Sequence, residues 1–377
     1  MSGVADVVRT ENTTNQNGVG TRDGGGSEPL VSVIIPAFQC AQYIAQAIES
    51  VLSQSYSNLE IVVVNDGSPD TQLLEQALTP YLHTIRYLKQ ATSGPASARN
   101  TAIRQANGRY VAFLDSDDYW SAEHLTRQLS LFREDPTLDL VYCDYMLLKS
   151  DKPFARAFDM QPQIGSVTFE SLLVEDCAIG TSTAVCSRDC IVKAGLFDER
   201  LLRCEDFEMW LRMVLFGARM TYNSDVQVFH RINEAGLSAD KWSMKRDRIR
   251  VYQKMASNFP LSERQKEIAR QLIARTEADC HVDELKHALE RGDFITAVSA
   301  ARNATAAKAN WKVRGALLGL RVMPALFRRF YLVRSFLQRN AQYSVPKPQN
   351  QSDLIENGTK SRSDETEVMV GGGGGTK

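Results

Sequence analysis

The sequence lacks long apolar runs, an excess of charge of either sign, and the paired cysteines of zinc modules. No run of about 18 uncharged apolar residues occurs, so we predict no transmembrane helix. The 44 basic and 45 acidic residues give a net charge of −1, which leaves no overall field to attract nucleic acid. The seven cysteines include no Cys-x-x-Cys pair and complete no zinc motif with the five histidines. We expect reduced, mostly structural thiols in a cytoplasmic protein.

The two ends of the chain have few large apolar side chains. Residues 1–28 are rich in Asn, Thr and Gly, and residues 341–377 are polar and end in a glycine run. Such segments bury too little surface to offset the entropy of ordering, so we expect both to be disordered. The first segment contains neither the apolar core of a signal peptide nor the arginine bias of a transit peptide.

Between these ends the composition is that of a globular protein, with 43% hydrophobic and 24% charged residues over the whole chain. From Leu30 onward, short apolar and β-branched runs alternate with segments of helical spacing, which predicts βαβ units and a parallel sheet. The predicted strands are 30–35, 59–64, 84–88, 110–114, 138–148 and 220–229. We therefore predict an α/β domain of nucleotide-binding architecture over residues 29–240.

Past residue 240 the alternation stops, and residues 241–340 are predicted to form a helical extension. A helix pair is predicted over 279–304, with its hinge at residues 291–293. No acidic residue occurs from Phe294 to Ser352, and residues 311–340 combine aromatic and aliphatic side chains with arginines. This basic segment predicts either a helix on an anionic membrane surface or a helix packed on the α/β domain with solvated arginines. Pro324 would kink it in both cases.

Three carboxylates, Asp115, Asp117 and Asp118, directly follow the apolar run at residues 110–114. Open α/β sheets bind ligands at the carboxyl ends of their strands, and clustered carboxylates repel one another unless a cation is bound. Magnesium and manganese prefer such hard oxygen ligands. The alternative is an acidic turn that caps the next helix, with Asp118 or Ser121 as the N-cap residue. For Asp118 both interpretations stay open, whereas Asp115 and Asp117 indicate a ligand site.

Five motifs follow one another in a fixed order. They are VSVIIPAFQCAQYI from Val31, VVVNDGS from Val62, GPASARN from Gly94, FLDSDD from Phe113 and CEDFEMWLR from Cys204. In this order and spacing they resemble glycosyltransferase family 2, over roughly residues 31–238. The resemblance implies the GT-A fold, a Rossmann-like mixed sheet flanked by helices, here with a C-terminal helical extension. It also implies transfer of a sugar from a nucleotide-diphosphate donor, expected to be a UDP-sugar, by a single inverting displacement.

For the donor nucleotide, the resemblance assigns Pro36, Ala37 and Phe38 to the base pocket. It assigns Asp66 to a hydrogen bond with the base, and Arg99 as a cation near the diphosphate. The alternative for Asp66 is an Asx turn that starts the next helix, a common use of Asp-Gly-Ser. The alternative for Arg99 is a solvated arginine on a helix face.

The pair Asp115 and Asp117 matches the family's Asp-x-Asp motif, which holds the ribose and a divalent metal, Mn²⁺ or Mg²⁺. We expect Asp117 to be the direct ligand and Asp115 to serve the ribose or the metal through water. His230 matches a position that completes the metal site in some members, although a lone histidine at a strand end is more often structural. The metal would neutralise charge that builds on the β-phosphate as the sugar bond breaks.

Asp206 matches the family's catalytic base, and Glu205 is expected to contact the acceptor or to orient the loop. A helix start stabilises the charge of a carboxylate and lowers its basicity, so proximity to the acceptor hydroxyl must compensate. The alternative for this pair is plain N-capping of the helix that is predicted to begin at Phe207. We expect Thr181–Thr183, the Glu205 loop and residues 149–165 to build the acceptor pocket.

The expected acceptor is a hydroxyl of a glycan or of a lipid-linked sugar in surface polysaccharide biosynthesis. The expected location is cytoplasmic, with a peripheral contact on the inner membrane face. A dinucleotide-dependent oxidoreductase is excluded, because Pro36-Ala37-Phe38-Gln39 stands where that class needs a Gly-x-Gly-x-x-Gly turn. The rival from another class is a catalytically silent partner that binds nucleotide-sugar or glycan in a membrane-associated assembly. The presence of Asp66, Asp115, Asp117 and Asp206 together argues against that rival.

Overall fold

The computed structural model describes residues 28–233, 236–306 and 311–341. Apart from Glu28 and Ala341, the two ends predicted to be disordered lie outside these ranges. The strands are β1 (Val31–Ala37), β2 (Leu59–Asp66), β3 (Ile85–Gln90), β4 (Tyr110–Phe113), β5 (Tyr119–Trp120), β6 (Leu140–Lys149), β7 (Lys152–Arg156), β8 (Val185–Ser187) and β9 (Met220–Arg231). The helices are α1 (Ile44–Leu52), α2 (Thr71–Leu78), α3 (Pro95–Gln105), α4 (His124–Glu134), α5 (Ala157–Met160), α6 (Phe169–Leu173), α7 (Arg188–Lys193), α8 (Glu205–Leu215), α9 (Lys241–Asn258), α10 (Glu263–Arg291), α11 (Phe294–Ala306), α12 (Trp311–Val322) and α13 (Pro324–Ala341).

The strands form one mixed sheet in the order β3-β2-β1-β4-β8-β6-β9-β5, with β7 paired to β6 outside this path. The first four strands are parallel, with Val31 opposite both Leu59 and Tyr110, which confirms the predicted βαβ units. Beyond β4, the short strand β8 runs antiparallel to β4 and β6, and β9 runs parallel to β6. The sheet is therefore mixed, as the family resemblance implies.

Strand β1 lies in the middle of this sheet and is covered on both faces. Successive side chains of a strand point to opposite faces, so Ile34 packs into one apolar layer while Val33 and Ile35 pack into the other. The layer around Ile34 includes residues of α3 and α8, and the opposite layer includes residues of α1, α2 and α4. Burial on both faces explains the nearly continuous β-branched run.

Two predicted boundaries are wrong. Pro36 was expected to end β1, yet the strand continues through Ala37, because one missing N–H near a strand end costs a single ladder bond. Helix α8 was expected to begin at Phe207, but it begins at Glu205. Glu205 and Asp206 therefore lie in its first turn, where the helix dipole favours negative charge.

Helix α10 is shared by two cores. Ala269 and Leu272 pack into the layer that contains α3 and α8, beside Val251 and Tyr252 of α9. Twenty-nine residues long, α10 continues to a separate third core that it forms with α11, α12 and α13. The buried residues of this third core are Leu285, Ala288, Leu289, Ala297, Ala300, Ala301, Ala304, Val313 and Leu320.

The predicted hinge and kink of the helical extension are both present. Gly292 ends α10 in the left-handed region at φ +78°, a conformation that suits a glycine at a helix end. Helix α12 ends at Val322 and α13 begins at Pro324, so Met323 interrupts the segment. Val313 and Leu320 of α12 face the third core rather than either layer of the sheet. The interpretation in which the basic segment packs on the α/β domain is therefore not supported by these two residues, which contact the helical core instead.

Within the described ranges, no helix is long and apolar enough to span a bilayer. All seven cysteines are free, in agreement with the expected reduced thiols, and five of them are buried.

Candidate active site

The carboxylate loop after β4 is anchored by Asp118, whose side chain is fully buried. Its Oδ2 accepts hydrogen bonds from Ser182 Oγ at 2.6 Å and His230 Nδ1 at 2.9 Å. Its Oδ1 accepts from the backbone N–H of Arg231 at 3.0 Å. Asp118 is not the N-cap of α4, which begins six residues later without a side-chain cap. It joins the loop to the 181–183 turn and to the end of β9, so the capping interpretation is wrong.

His230 lies at the end of β9 beside these carboxylates. The hydrogen bond from Nδ1 to Asp118 leaves Nε2 as the ring nitrogen for another ligand. Burial alone would lower the pKa of His230. The negative charge of Asp118, with smaller contributions from Asp115 and Asp117, outweighs burial and raises that pKa to about 9. A carboxylate on one ring nitrogen is the usual arrangement of a histidine that binds a metal through the other.

Asp117 forms no ion pair among the described side chains, and its backbone carbonyl accepts from Arg231 Nη1 at 2.5 Å. Burial raises the pKa of Asp117 to about 6, and repulsion from Asp118 and Asp115 adds to the rise. Arg231 is itself held by Asp151 and Gln46 and lies over the rings of Tyr43 and Tyr119. The loop backbone is therefore fixed, while the Asp117 carboxylate has no direct ion-pair partner among the described side chains.

The donor set of this loop fits a divalent metal in its chemistry. Asp117 supplies a carboxylate without a direct ion pair among the described side chains, and His230 supplies an imidazole oriented by Asp118. Within the described ranges, however, no three His, Cys, Asp or Glu side chains are grouped closely enough to form a ready cation site. A metal held by one or two carboxylates plus a ligand phosphate, as magnesium usually is, needs no such complete protein cage.

Arg99, in the first half of α3, is buried and links two parts of the site. Its Nη2 donates to Asp115 Oδ1 at 2.7 Å, and its Nη1 donates to Glu205 Oε1 at 2.6 Å. Among the described residues its Nε, also buried, has no hydrogen-bond partner, and the guanidinium lies 5.7 Å from the ring centre of Phe197. The interpretation of Arg99 as a solvated helix-face arginine is wrong.

Asp66, at the end of β2, accepts hydrogen bonds on both carboxylate oxygens. Oδ1 accepts from Gln90 Nε2 and from the backbone N–H of Ser93, both at 2.8 Å, and Oδ2 accepts from the backbone N–H of Gly94 at 2.8 Å. Asp66 thereby fixes the loop that leads into α3 and Arg99. The Asx turn belongs to its neighbour Asn65, whose Oδ1 accepts from the backbone N–H of Ser68 at 2.9 Å.

The residues predicted to line the base pocket differ in accessibility. Ala37 is fully buried, so its side chain cannot line an open pocket, and Pro36 is half-buried. Phe38 is 45% exposed, which is unusual for a phenylalanine and makes its ring available to a ligand. Gln39 follows in the left-handed region at φ +52°, and its backbone N–H donates to Ser68 Oγ at 2.7 Å.

Glu205 and Asp206 begin α8, directly after Cys204, which adopts a left-handed φ of +58°. Glu205 is buried against Arg99, whereas Asp206 is partly exposed. Asp206 Oδ2 accepts from Thr181 Oγ1 at 2.6 Å, and its Oδ1 accepts from the backbone N–H of Phe207 at 2.7 Å. Burial raises the pKa of Glu205 to about 7, with Arg99 opposing the rise and Asp206 adding to it. The N-cap position belongs to Cys204, so capping does not account for this pair.

Two contacts of the site could not be predicted from the sequence, although Thr181–Thr183 were expected to line the acceptor pocket. Ser182 accepts from the backbone N–H of Asp115 at 3.1 Å while donating to Asp118, so one hydroxyl joins both aspartates. Tyr145 of β6 packs edge-on against His230, with ring centres 5.8 Å apart. Its ring also lies close to Gly180, since a Cβ added at that glycine would be 3.3 Å from the Tyr145 ring. Both depend on contacts across the sheet, which no local pattern encodes.

Comparison with known proteins agrees with this geometry. Residues 32–157 match the family model described as Glycosyl transferase family 2. The chain is 30% identical over 215 residues to the Escherichia coli UDP-Glc:alpha-D-GlcNAc-diphosphoundecaprenol beta-1,3-glucosyltransferase WfaP, covering 56% of this chain and 81% of that one. It is 31% identical over 233 residues to the putative teichuronic acid biosynthesis glycosyltransferase TuaG of Bacillus subtilis, covering 60% of this chain and 89% of that one.

Two solved structures share the fold. Staphylococcus aureus TarS 1–349 in complex with UDP-GlcNAc aligns with a TM-score of 0.55 at 19% identity, over 82% of this chain and 91% of that one. The mannosyltransferase PcManGT from Pyrobaculum calidifontis, in complex with GDP-Man and Mn²⁺, aligns with a TM-score of 0.52 at 20% identity, over 84% and 86%. With its mixed sheet flanked by helices and its helical C-terminal region, the chain has the GT-A fold. It belongs to glycosyltransferase family 2 and is a glycosyltransferase.

Proposed function

We propose that the protein transfers a sugar from a UDP-sugar to a hydroxyl of a glycan or lipid-linked acceptor, with inversion and with a divalent metal. The observation that carries the proposal is the double contact of Arg99. Its guanidinium joins Asp115 of the carboxylate loop to Glu205 beside Asp206, so the predicted donor residues and the predicted base face one site. A binding module has no need to couple these two elements.

Asp117 and His230 would hold the metal, with Asp115 acting on the ribose or on the metal through water. When bound, the ion would supply charge neutralisation for the departing diphosphate. Asp118 orients the His230 ring, and Arg231 holds the backbone of the loop through the Asp117 carbonyl. Arg99 remains a candidate to bind the diphosphate. A phosphate oxygen would have to replace Asp115 at Nη2 or accept a hydrogen bond from Nε, which has no partner among the described residues.

Asp206 would accept the proton of the acceptor hydroxyl. Thr181 donates to one of its oxygens, and the Phe207 N–H donates to the other, so the carboxylate is oriented before an acceptor binds. A carboxylate has about four lone-pair positions, so capacity remains for an acceptor O–H. Of the two roles expected for Glu205, orientation of the start of α8 is favoured, because Arg99 already donates to its Oε1.

For the uracil base, the exposed ring of Phe38 would provide a stacking surface. Asp66 already accepts three hydrogen bonds and has capacity for one more, so it could still accept from a base N–H. Pro36 and Ala37 would contribute through the strand backbone, since the Ala37 side chain is buried.

The acceptor proposal rests on the relatives. WfaP is named for a glucosyl transfer from UDP-Glc to a diphosphoundecaprenol-linked GlcNAc, and TuaG for teichuronic acid biosynthesis. By analogy, we favour a lipid-linked acceptor in surface polysaccharide biosynthesis and a cytoplasmic enzyme at the inner membrane face. The second candidate function is a protein that binds nucleotide-sugar without catalysis. In that case the contacts of Arg99 with Asp115 and Glu205, and of Thr181 with Asp206, would serve binding alone.

Calorimetric titration of UDP and a panel of UDP-sugars, with Mn²⁺ and then with chelator, tests the donor site. Metal-dependent binding that is lost in Asp117→Asn and kept in the surface control Asp225→Asn is the expected result. Absence of binding with metal present would contradict the proposal. Sugar transfer to extracted lipid-linked acceptors then separates enzyme from binder. Asp206→Asn should keep donor binding and lose activity by about 10²- to 10⁴-fold.

A further inference from the structure

An unusual apolar surface lies on the outer side of α12 and α13, far along the chain from the active site. Five large apolar residues there, which we call the apolar crest, are between 56% and 66% exposed. They are Leu318, Val322, Met323, Leu326 and Phe330. Elsewhere in the described ranges, exposed apolar side chains such as Leu73 and Phe154 are not grouped in this way along a helix.

The spacing places each pair of crest residues on one side of its own helix. Leu318 and Val322 are one turn apart on α12, and Leu326 and Phe330 are one turn apart on α13. Met323 lies at the break between the helices. The opposite side of α12 is already packed, because Val313 and Leu320 are buried in the third core. Helix α12 is thus apolar on two sides, although only one side has a protein partner in the described ranges.

The charged residues of helices α12 and α13 themselves carry one sign. Arg321 and Arg329 are exposed next to crest residues, and no acidic residue occurs from Phe294 to Ser352. Helix α10 differs, because its exposed residues include both signs, as in the pair of Arg270 with Glu267. Arg328 serves the fold by donating to the carbonyl oxygens of Leu289 and Glu290, which fixes α13 against the end of α10.

We propose that the apolar crest docks on an anionic lipid bilayer, with its apolar side chains in the interface and the flanking arginines at the headgroups. Exposed apolar side chains on helices whose own charged residues are all basic are the features of a helix that lies in the plane of such a surface. A second copy of this chain fits less well, because a two-fold contact would bring arginines against arginines without any carboxylate from residues 294–352. The inference depends on the helices alone and not on the proposed reaction.

Flotation of the full chain with vesicles tests this surface. We expect it to float with vesicles of phosphatidylcholine and phosphatidylglycerol in equal parts, and to float far less with phosphatidylcholine alone or at high salt. The variant Leu326→Asp/Phe330→Asp should lower the partition coefficient by about tenfold or more, since it removes buried apolar area and adds repulsion. The matched control Leu73→Asp/Val192→Asp changes two exposed apolar residues elsewhere and should float like the native chain.

A second pair of variants tests the charges. Arg321→Glu/Arg329→Glu should weaken binding to the anionic vesicles. The control Arg133→Glu/Arg264→Glu makes the same change in net charge at exposed positions of α4 and α10, and it should not weaken binding. Equal flotation of crest variants and controls, or no flotation of the native chain, would overturn the proposal. Light scattering could also overturn the proposal. It would do so if the native chain were a dimer, the crest variant a monomer, and neither bound vesicles. Donor binding, measured on the same preparations, should be unchanged in every variant.

Discussion

Arg99 and Glu205 are 106 positions apart in the chain and form a buried ion pair, with 2.6 Å between Nη1 and Oε1. The same guanidinium binds Asp115 through its other terminal nitrogen. Glu205 precedes the proposed base, and Asp115 precedes the proposed metal ligand by two residues. One arginine therefore sets the distance between the two halves of the proposed site.

Arg99→Lys tests this link. A lysine ammonium is a single point charge and cannot reproduce the fork that binds two carboxylates. We expect the variant to fold and kcat/KM to fall by about 10²-fold, because a small displacement of reacting groups costs that much. Arg99→Met should also lower the free energy of unfolding by about 3–5 kcal/mol, since it leaves Glu205 buried and unpaired. Arg104→Met, on an exposed position of the same helix, should change neither quantity appreciably.

Thr181→Val tests the orientation of Asp206. The substitution keeps the shape of the side chain but removes the hydroxyl that donates to Oδ2 at 2.6 Å. A hydrogen bond to a charged group is worth about 1.5–3 kcal/mol, so we expect kcat to fall roughly 10- to 150-fold with donor affinity unchanged. Thr183→Val removes a hydroxyl that donates to Gly180 instead and serves as the control. A loss in Thr181→Val as large as that of Asp206→Asn would indicate collapse of the turn rather than lost orientation.

Asp118→Asn tests the support of His230. The variant removes the negative charge that holds the imidazole and the 181–183 turn while keeping a similar shape. Loss of such a partner behind a metal-binding histidine typically costs 10- to 100-fold in metal affinity. We expect that decrease in Mn²⁺ affinity, measured by calorimetry in the presence of UDP. Asp225→Asn removes an exposed carboxylate paired with Arg127 and should leave it unchanged.

His124 makes the stability of the fold sensitive to mild acid. Burial lowers the pKa of this fully buried histidine to about 3, and its Nε2 has no hydrogen-bond partner in the described part of the chain, so the folded protein keeps the ring neutral. The unfolded chain binds the proton below about pH 6.5, so the free energy of unfolding decreases as pH falls from there toward 3, by at most about 1.4 kcal/mol per unit.

The measurement is urea unfolding between pH 7 and pH 4. In His124→Phe this contribution should disappear, so the decrease in stability with falling pH should be shallower than in the native chain. His83→Gln, at an exposed position, should retain the native slope. Identical slopes in all three proteins would contradict a neutral buried His124.

The elements of the first half of the chain could be predicted because their signals are local. β1, β2 and β4 are predominantly apolar runs, and the acidic loop directly follows one of them. The partners of Asp66, Asp118 and Arg99 could not be predicted, since each lies in another element brought near only by the sheet order. The same holds for the start of α8, where a left-handed Cys204 replaces the glycine or asparagine that a sequence pattern would indicate. Metal ligation by Asp117 and His230 and the membrane contact stay predictions.

Helix α10 contains neither glycine nor proline over its 29 residues and belongs to two cores at once. The number of residues in α10 therefore fixes both the distance and the rotation between these two cores. Each added residue would move the far core by about 1.5 Å and turn it by about 100° relative to the sheet. A single insertion would point the apolar crest in a different direction, whereas about seven residues, close to two full turns, would nearly restore it. Changes in the length of this helix should thus be tolerated only in whole turns.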